Sequence, residues 1–185
     1  MSYYNESMKT HFQGKYRIQS ARLPDWDYSN PGYYFVTICT RKHFPFLGVV
    51  ANGIVNLSAA GTIAAQEWQN TGLIRSTITL DAWVIMPNHV HGIIVIEETS
   101  SDLTCQSDKQ LEQRRWKPNT LGVMVNQYKG RCTKRIRRSI DPGFAWQARF
   151  CDHIIRSEQA LERIRKYILS NPLNWHADDS IDTGK

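Results

Sequence analysis

No apolar run in the chain approaches the roughly 18–20 residues needed to cross a bilayer. The opening stretch, Met1–Phe12, is polar and aromatic and lacks the apolar core of a secretion signal. A membrane or exported protein is therefore not expected, and the expected location is the cytoplasm. Cysteine is scarce: Cys39, Cys105, Cys132 and Cys151 form no C-x-x-C pair, which argues against a disulfide scaffold and a thiolate zinc site. Idle thiols are expected instead. Glycine (11) and proline (7) are too few for a collagen-like or low-complexity chain, and no internal repeat is visible. What remains is 185 residues, 41% hydrophobic and 22% charged, which fits one globular domain with or without a tail.

Acidic residues are in deficit, 17 against 23 Lys and Arg, giving a net charge of +6. Six basic residues crowd one stretch: Lys129, Arg131, Lys134, Arg135, Arg137 and Arg138, with no acid among them. Two readings stand side by side, a solvated helix face or a surface for a polyanion whose phosphates relieve the mutual repulsion. Arg149 and Arg156 are further candidates for phosphate contact.

Residues 1–32 read as an N-terminal extension, 33–176 as the domain and 177–185 as a disordered tail. Tyr33–Thr40 reads as a buried strand and Asn56–Gln69 as a helix, with Leu57, Ala60, Ala64 and Trp68 at helical spacing. Thr77–Met86 and His89–Ile96 are strands joined by Pro87-Asn88, hence an antiparallel pair. The polar stretch 97–118 reads as a mobile connection. Thr120–Arg138 is predicted helical, Ala145–Arg156 holds a fourth strand, and Ser157–Ser170 is a last helix ended by Asn171-Pro172. This order predicts an α+β fold: a ferredoxin-like split βαβ sandwich with an antiparallel sheet, helices on one face, and an added C-terminal helix. That fold hosts many functions.

Chemistry concentrates at His89-Val90-His91. Residues two apart on a strand share a face, so both imidazoles project together and make half a metal site, or else a plain pair of core-edge histidines. A catalytic metal needs further ligands and open positions. Asn171 lies four residues after Tyr167, so a continuing helix presents both on one face, the amide as ligand and the hydroxyl beside the metal. His153 is another possible ligand, or a structural histidine held by Asp152. A phenol keeps its proton at neutral pH and needs activation to attack phosphorus. Tyr128 rivals Tyr167 because basic residues follow it, yet it shares an apolar stripe with Leu121, Val125, Cys132 and Ile136. Tyr167 also has a packing reading, with Ala160 and Ile164. Trp116, Trp146 and Trp175 suit base stacking or packing, and His11, His43 and His176 receive no role.

Two segments, WVIMPNHVHGIIVI and FAWQARFCDHIIRSEQALERIRKYILSNPLNW, resemble the HUH transposases that use one tyrosine, the REP-associated tyrosine transposases above all. The resemblance runs from about Lys15 to Trp175. It implies that His89 and His91 bind Mg²⁺ or Mn²⁺ and that Tyr167 is the nucleophile. Asn171 stands where insertion-sequence relatives carry a metal-binding glutamine. Two imidazoles suit Mn²⁺ better than the all-oxygen shell that Mg²⁺ prefers. The implied activity is metal-dependent cleavage and strand transfer of single-stranded hairpin DNA through a 5′-phosphotyrosine. The implied protein is a monomer or homodimer, nucleoid-associated, with no membrane partner. A non-catalytic nucleic-acid-binding module of the same fold and a metal-dependent nuclease using water remain as alternatives.

Overall fold

β-Branched and aromatic residues from Tyr33 onward build a central strand. The computed structural model describes residues 11–12, 15–16, 26–98 and 120–175. The expected tail, 177–185, lies outside these residues, as do most of the 97–118 connection and most of the 1–32 extension. Two short strands, β1 (His11–Phe12) and β2 (Lys15–Tyr16), pair antiparallel. Then β3 (Gly32–Cys39) buries Tyr34, Val36 and Ile38 on one side and turns Phe35, Thr37 and Cys39 to the other.

The chain next forms a hairpin, β4 (Gly48–Ala51) and β5 (Ile54–Leu57), where a helix was expected to begin at Asn56. Asn52 and Gly53 at its tip have φ of 54° and 72°, the left-handed pair that a tight hairpin turn demands. The helix itself, α1 (Ala59–Leu73), starts later, with the Ser58 hydroxyl accepting from the Gly61 amide. Strands β6 (Ile78–Ile85) and β7 (His89–Ile96), helix α2 (Leu121–Ser139), strand β8 (Cys151–Ile155) and helix α3 (Glu158–Ser170) follow. Side-chain N-caps at Thr120 and Ser157 set the starts of α2 and α3.

The main sheet runs β6-β7-β3-β8, every neighbouring pair antiparallel. This is the α+β split βαβ arrangement the element order predicts. Its two faces differ. Tyr34, Val36, Val90 and Ile94 pack under α1 and α2 with Trp68, Tyr128 and Phe144. Gly92 makes that closeness possible, because a Cβ there would lie 2.2 Å from Trp68 Cζ2. The opposite face carries α3 through Ile93, Ile155, Leu161 and Ile168, so the helices do not all share one side.

Only Leu161 and Ile168 of α3 are buried, and polar contacts supplement that thin attachment. A bulge between Leu80 and Trp83 brings Asp81 toward α3. Arg165 meets it with Nη2 2.6 Å and Nε 3.0 Å from the carboxylate, and this pairing holds the Asp81 carboxyl below its usual range. Among the described residues no helix is long and apolar enough to cross a membrane.

Candidate active site

The alternation of β7 decides which of its side chains reach the α3 face. Val90, Gly92 and Ile94 enter the main core, so His89 and His91 emerge opposite them, ring centroids 4.4 Å apart. Each imidazole is fixed through Nδ1. Asn88 Oδ1 lies 2.6 Å from His89 Nδ1, and an amide oxygen only accepts, so Nδ1 carries the proton and Nε2 presents a lone pair. Thr37 Oγ1, on the partner strand, lies 2.9 Å from His91 Nδ1. A hydroxyl can donate or accept, so this contact orients the ring without selecting its tautomer.

Helix α3 then places Tyr167 over the pair. Its hydroxyl lies 3.3 Å from His91 Nε2, although the residue is 49% exposed. Phe35 stacks on His91 at 5.3 Å and meets Tyr167 edge-on at 6.2 Å, so one ring positions both. Trp175 lies 6.0 Å from the His89 ring. Asn171 caps α3 and sits near enough to His89 to raise its pKa slightly, against the larger effect of burial. Nε2 of His89 is buried, and Asn171 is the polar side chain that acts on this ring.

Burial holds His89 down at about 4, with the nearby His43 adding to the depression. It holds His91 at about 3, with the charge of His89 as second cause. Both rings are therefore neutral at physiological pH. In the unfolded chain each titrates at about 6.5. Above that value the rings are neutral in both states and contribute nothing to the pH dependence. As pH falls below it, the unfolded chain takes up protons that the folded rings refuse, and stability drops. We expect urea melts in chelator to show a loss of about 2–4 kcal/mol from the pair between pH 6.5 and 5. A His89→Asn/His91→Asn double variant should show a flatter profile, and equal slopes would refute burial of the neutral rings as the cause.

The structure separates other expected site residues. His153 is exposed on β8 opposite Phe35, two strands from β7. Among the described residues no set of three His, Cys, Asp or Glu side chains gathers to hold a metal, so His153 does not join the histidine pair. The basic run is largely occupied. Lys129 is only 9% exposed, and its Nζ donates to the carbonyls of Gln147 at 2.5 Å and Ala148 at 3.2 Å. Arg131 and Arg135 pair with Glu67 of α1 at 3.0 and 2.6 Å, and Arg137 Nε donates to Phe144 O. The acid missing from the run comes from sixty-odd residues upstream, where local reading does not find it. Lys134 and Arg138 stay exposed on α2, Arg149 is exposed beside β8, and Arg156 lies over the Trp26 ring at 5.7 Å. Tyr128 is fully buried, its hydroxyl 3.3 Å from Ala64 O, in keeping with the packing stripe. Burial pushes the Cys39 thiol up to about 11 and Cys132 up to about 12, so both are inert.

Sequence reasoning missed Thr37, Phe35 and Asn88. The first two share a face with the H-x-H pair only because β3 and β7 align Thr37 with His91, and that register is not written locally. Asn88 stands in plain view, adjacent to His89.

No family model matches the chain. A Haemophilus influenzae protein, itself uncharacterized, is 31% identical over 168 residues, covering 89% of this chain and 93% of its own length. The chain belongs to that protein's family. Membership brings no activity with it. A structure of a REP-associated tyrosine transposase bound to a REP hairpin aligns with a TM-score of 0.56 over 84% of this chain and 73% of that one. At 18% identity the likeness is one of fold, and this family member shares the transposase's architecture.

Proposed function

We propose that the chain is a metal-dependent endonuclease and strand transferase for single-stranded hairpin DNA, with Tyr167 as nucleophile. The observation that supports this reading most is the Tyr167 hydroxyl 3.3 Å from a neutral, anchored imidazole on a half-exposed face. Two adjacent imidazoles, one with a buried Nε2 and Asn171 beside it, fit a divalent cation that His89 and His91 would hold. Mg²⁺ or Mn²⁺ held there would supply charge stabilisation for the phosphate oxygens and the departing 3′ oxygen. The two nitrogen donors favour Mn²⁺.

The chain's own residues do the rest. Asn88 holds the His89 ring in the tautomer whose Nε2 lone pair is available, and Thr37 orients the His91 ring. Phe35 props Tyr167 from behind, and the Arg165–Asp81 pair fixes the helix that carries it. Attack forms a bond from Tyr167 Oη to phosphorus and breaks the bond from phosphorus to the 3′ oxygen. The phenolic proton is lost and the 3′ oxygen gains one, leaving a 5′-phosphotyrosine and a free 3′ hydroxyl. One diester replaces another, so the reverse step joins strands.

The test is a labelled single-stranded hairpin with a flanking strand, incubated with the protein and Mn²⁺ and run on a denaturing gel. A protein–DNA adduct that disappears in chelator is the expected result. Binding without an adduct would indicate a non-catalytic module, and free cleaved ends without an adduct a nuclease that uses water.

A further inference from the structure

β3 ends beside the candidate site, and the chain leaves it through one tight turn, Arg41–His43. Lys42 and His43 have φ of 56° and 53°, two consecutive left-handed residues that each carry a Cβ. That conformation is disfavoured for both and persists only where the surroundings impose it. The surroundings here are specific. Thr40 is fully buried, its Oγ1 2.7 Å from Phe44 O and 2.9 Å from Asn88 O, and Arg41 N donates to Ala145 O at 2.8 Å. Gln147 Nε2 lies 2.9 Å from His43 Nε2.

Asn88 is thus shared: its carbonyl anchors the turn while its side chain holds the His89 ring. The turn and the imidazole are registered to one another by a single residue. The side chains of Arg41, Lys42 and His43 all face solvent. Among the described residues neither Arg41 nor Lys42 has an ion-pair partner, unlike Arg131 and Arg135, which share the Glu67 carboxylate. Exposed cations without an acid partner therefore stand beside the site on this turn, as Lys134 and Arg138 do on α2.

We propose that the Arg41–His43 turn is a phosphate clamp, which grips the backbone of the single strand entering between the histidines and Tyr167. This rests on the DNA-cleaving reading above and assigns the turn to phosphates flanking the one attacked. Strain imposed by the fold keeps the cations preorganised, so little ordering is left for binding to do. Backbone contacts of this kind position the strand and carry no sequence choice.

The test uses the full chain, the fluorescein-labelled hairpin with its single-stranded flank, and chelator to prevent cleavage. Anisotropy is read across a salt series. Arg41→Ala/Lys42→Gly should bind about tenfold more weakly, with the salt slope flatter by roughly 0.7 for each phosphate that is no longer neutralised. Lys134→Ala/Arg138→Ala removes two charges from α2 and should cost clearly less. Lys42→Gly alone suits the left-handed backbone, so its melting temperature should hold or rise while affinity falls about threefold. Opposite signs separate charge from folding. Equal losses in the turn and α2 variants, or unchanged binding in the turn variant, would overturn the clamp while leaving the DNA reading intact. Wild-type protein that does not bind the hairpin at all would overturn both.

Discussion

Tyr167→Phe is expected to reduce formation of the covalent DNA adduct by more than roughly a thousandfold, because no other group supplies the attacking oxygen. Folding should hardly notice. The side chain is half exposed, and its hydroxyl makes one long hydrogen bond, 3.3 Å to His91. Removing a bond of that kind costs about 0.5–1.5 kcal/mol at most. The contrast is Tyr128→Phe. That ring is fully buried, edge-on to Trp68 at 5.3 Å, with its hydroxyl on Ala64 O. Its loss should cost about 1 kcal/mol of stability and leave the adduct in place. A denaturing gel with both variants decides between them. An adduct that survives Tyr167→Phe sinks the assignment.

The second large effect is on folding. Gly92→Ala places a Cβ 2.2 Å from Trp68 Cζ2 and 3.0 Å from Cε2 and Cη2. Trp68 is fully buried between the sheet and α2, in contact with Tyr128, so the indole has nowhere to retreat. Overpacking typically costs about 1–3 kcal/mol, and a clash against a locked ring belongs at or beyond the top of that range. We expect about 3 kcal/mol, or a fall in Tm of roughly 6–12 °C for a chain of this size. Gly130→Ala is the control. Nothing lies within 4 Å of its Cβ, and the site is in the middle of α2, so helix propensity should make it neutral or stabilising. A Gly92→Ala protein whose melting temperature matched wild type would show that the sheet and α1 can part without cost.

Much of this is legible in the sequence because it is local. The strand His89–Ile96 has the bounds its composition suggests, and the shared face of His89 and His91 follows from a two-residue period. Ser157 and the Asn171-Pro172 break bracket α3 closely. The failures share a cause, which is distance along the chain. Apolar Leu57 falls on a helical spacing, yet it ends a hairpin that turns at Asn52-Gly53 and pairs it with Gly48. The basic run reads as unpaired because Glu67 is on another helix, and Lys129 reads as solvent-facing because its carbonyl partners lie in the 147–149 segment. His153 reads as a ligand until register sets it beside Phe35 rather than Thr37. Periodicity tells which way a side chain points and says nothing of what it meets.

β7 interleaves two vocations, cohesion at Val90, Gly92 and Ile94 and the proposed chemistry at His89 and His91. Register is consequently the unforgiving variable for this strand, which is paired on both sides. A slip of one residue would rotate both imidazoles beneath Trp68 and strand two aliphatics under Tyr167, dispersing the histidine pair and splitting the interior in a single stroke. Change by replacement can retune either vocation separately; change of register extinguishes both.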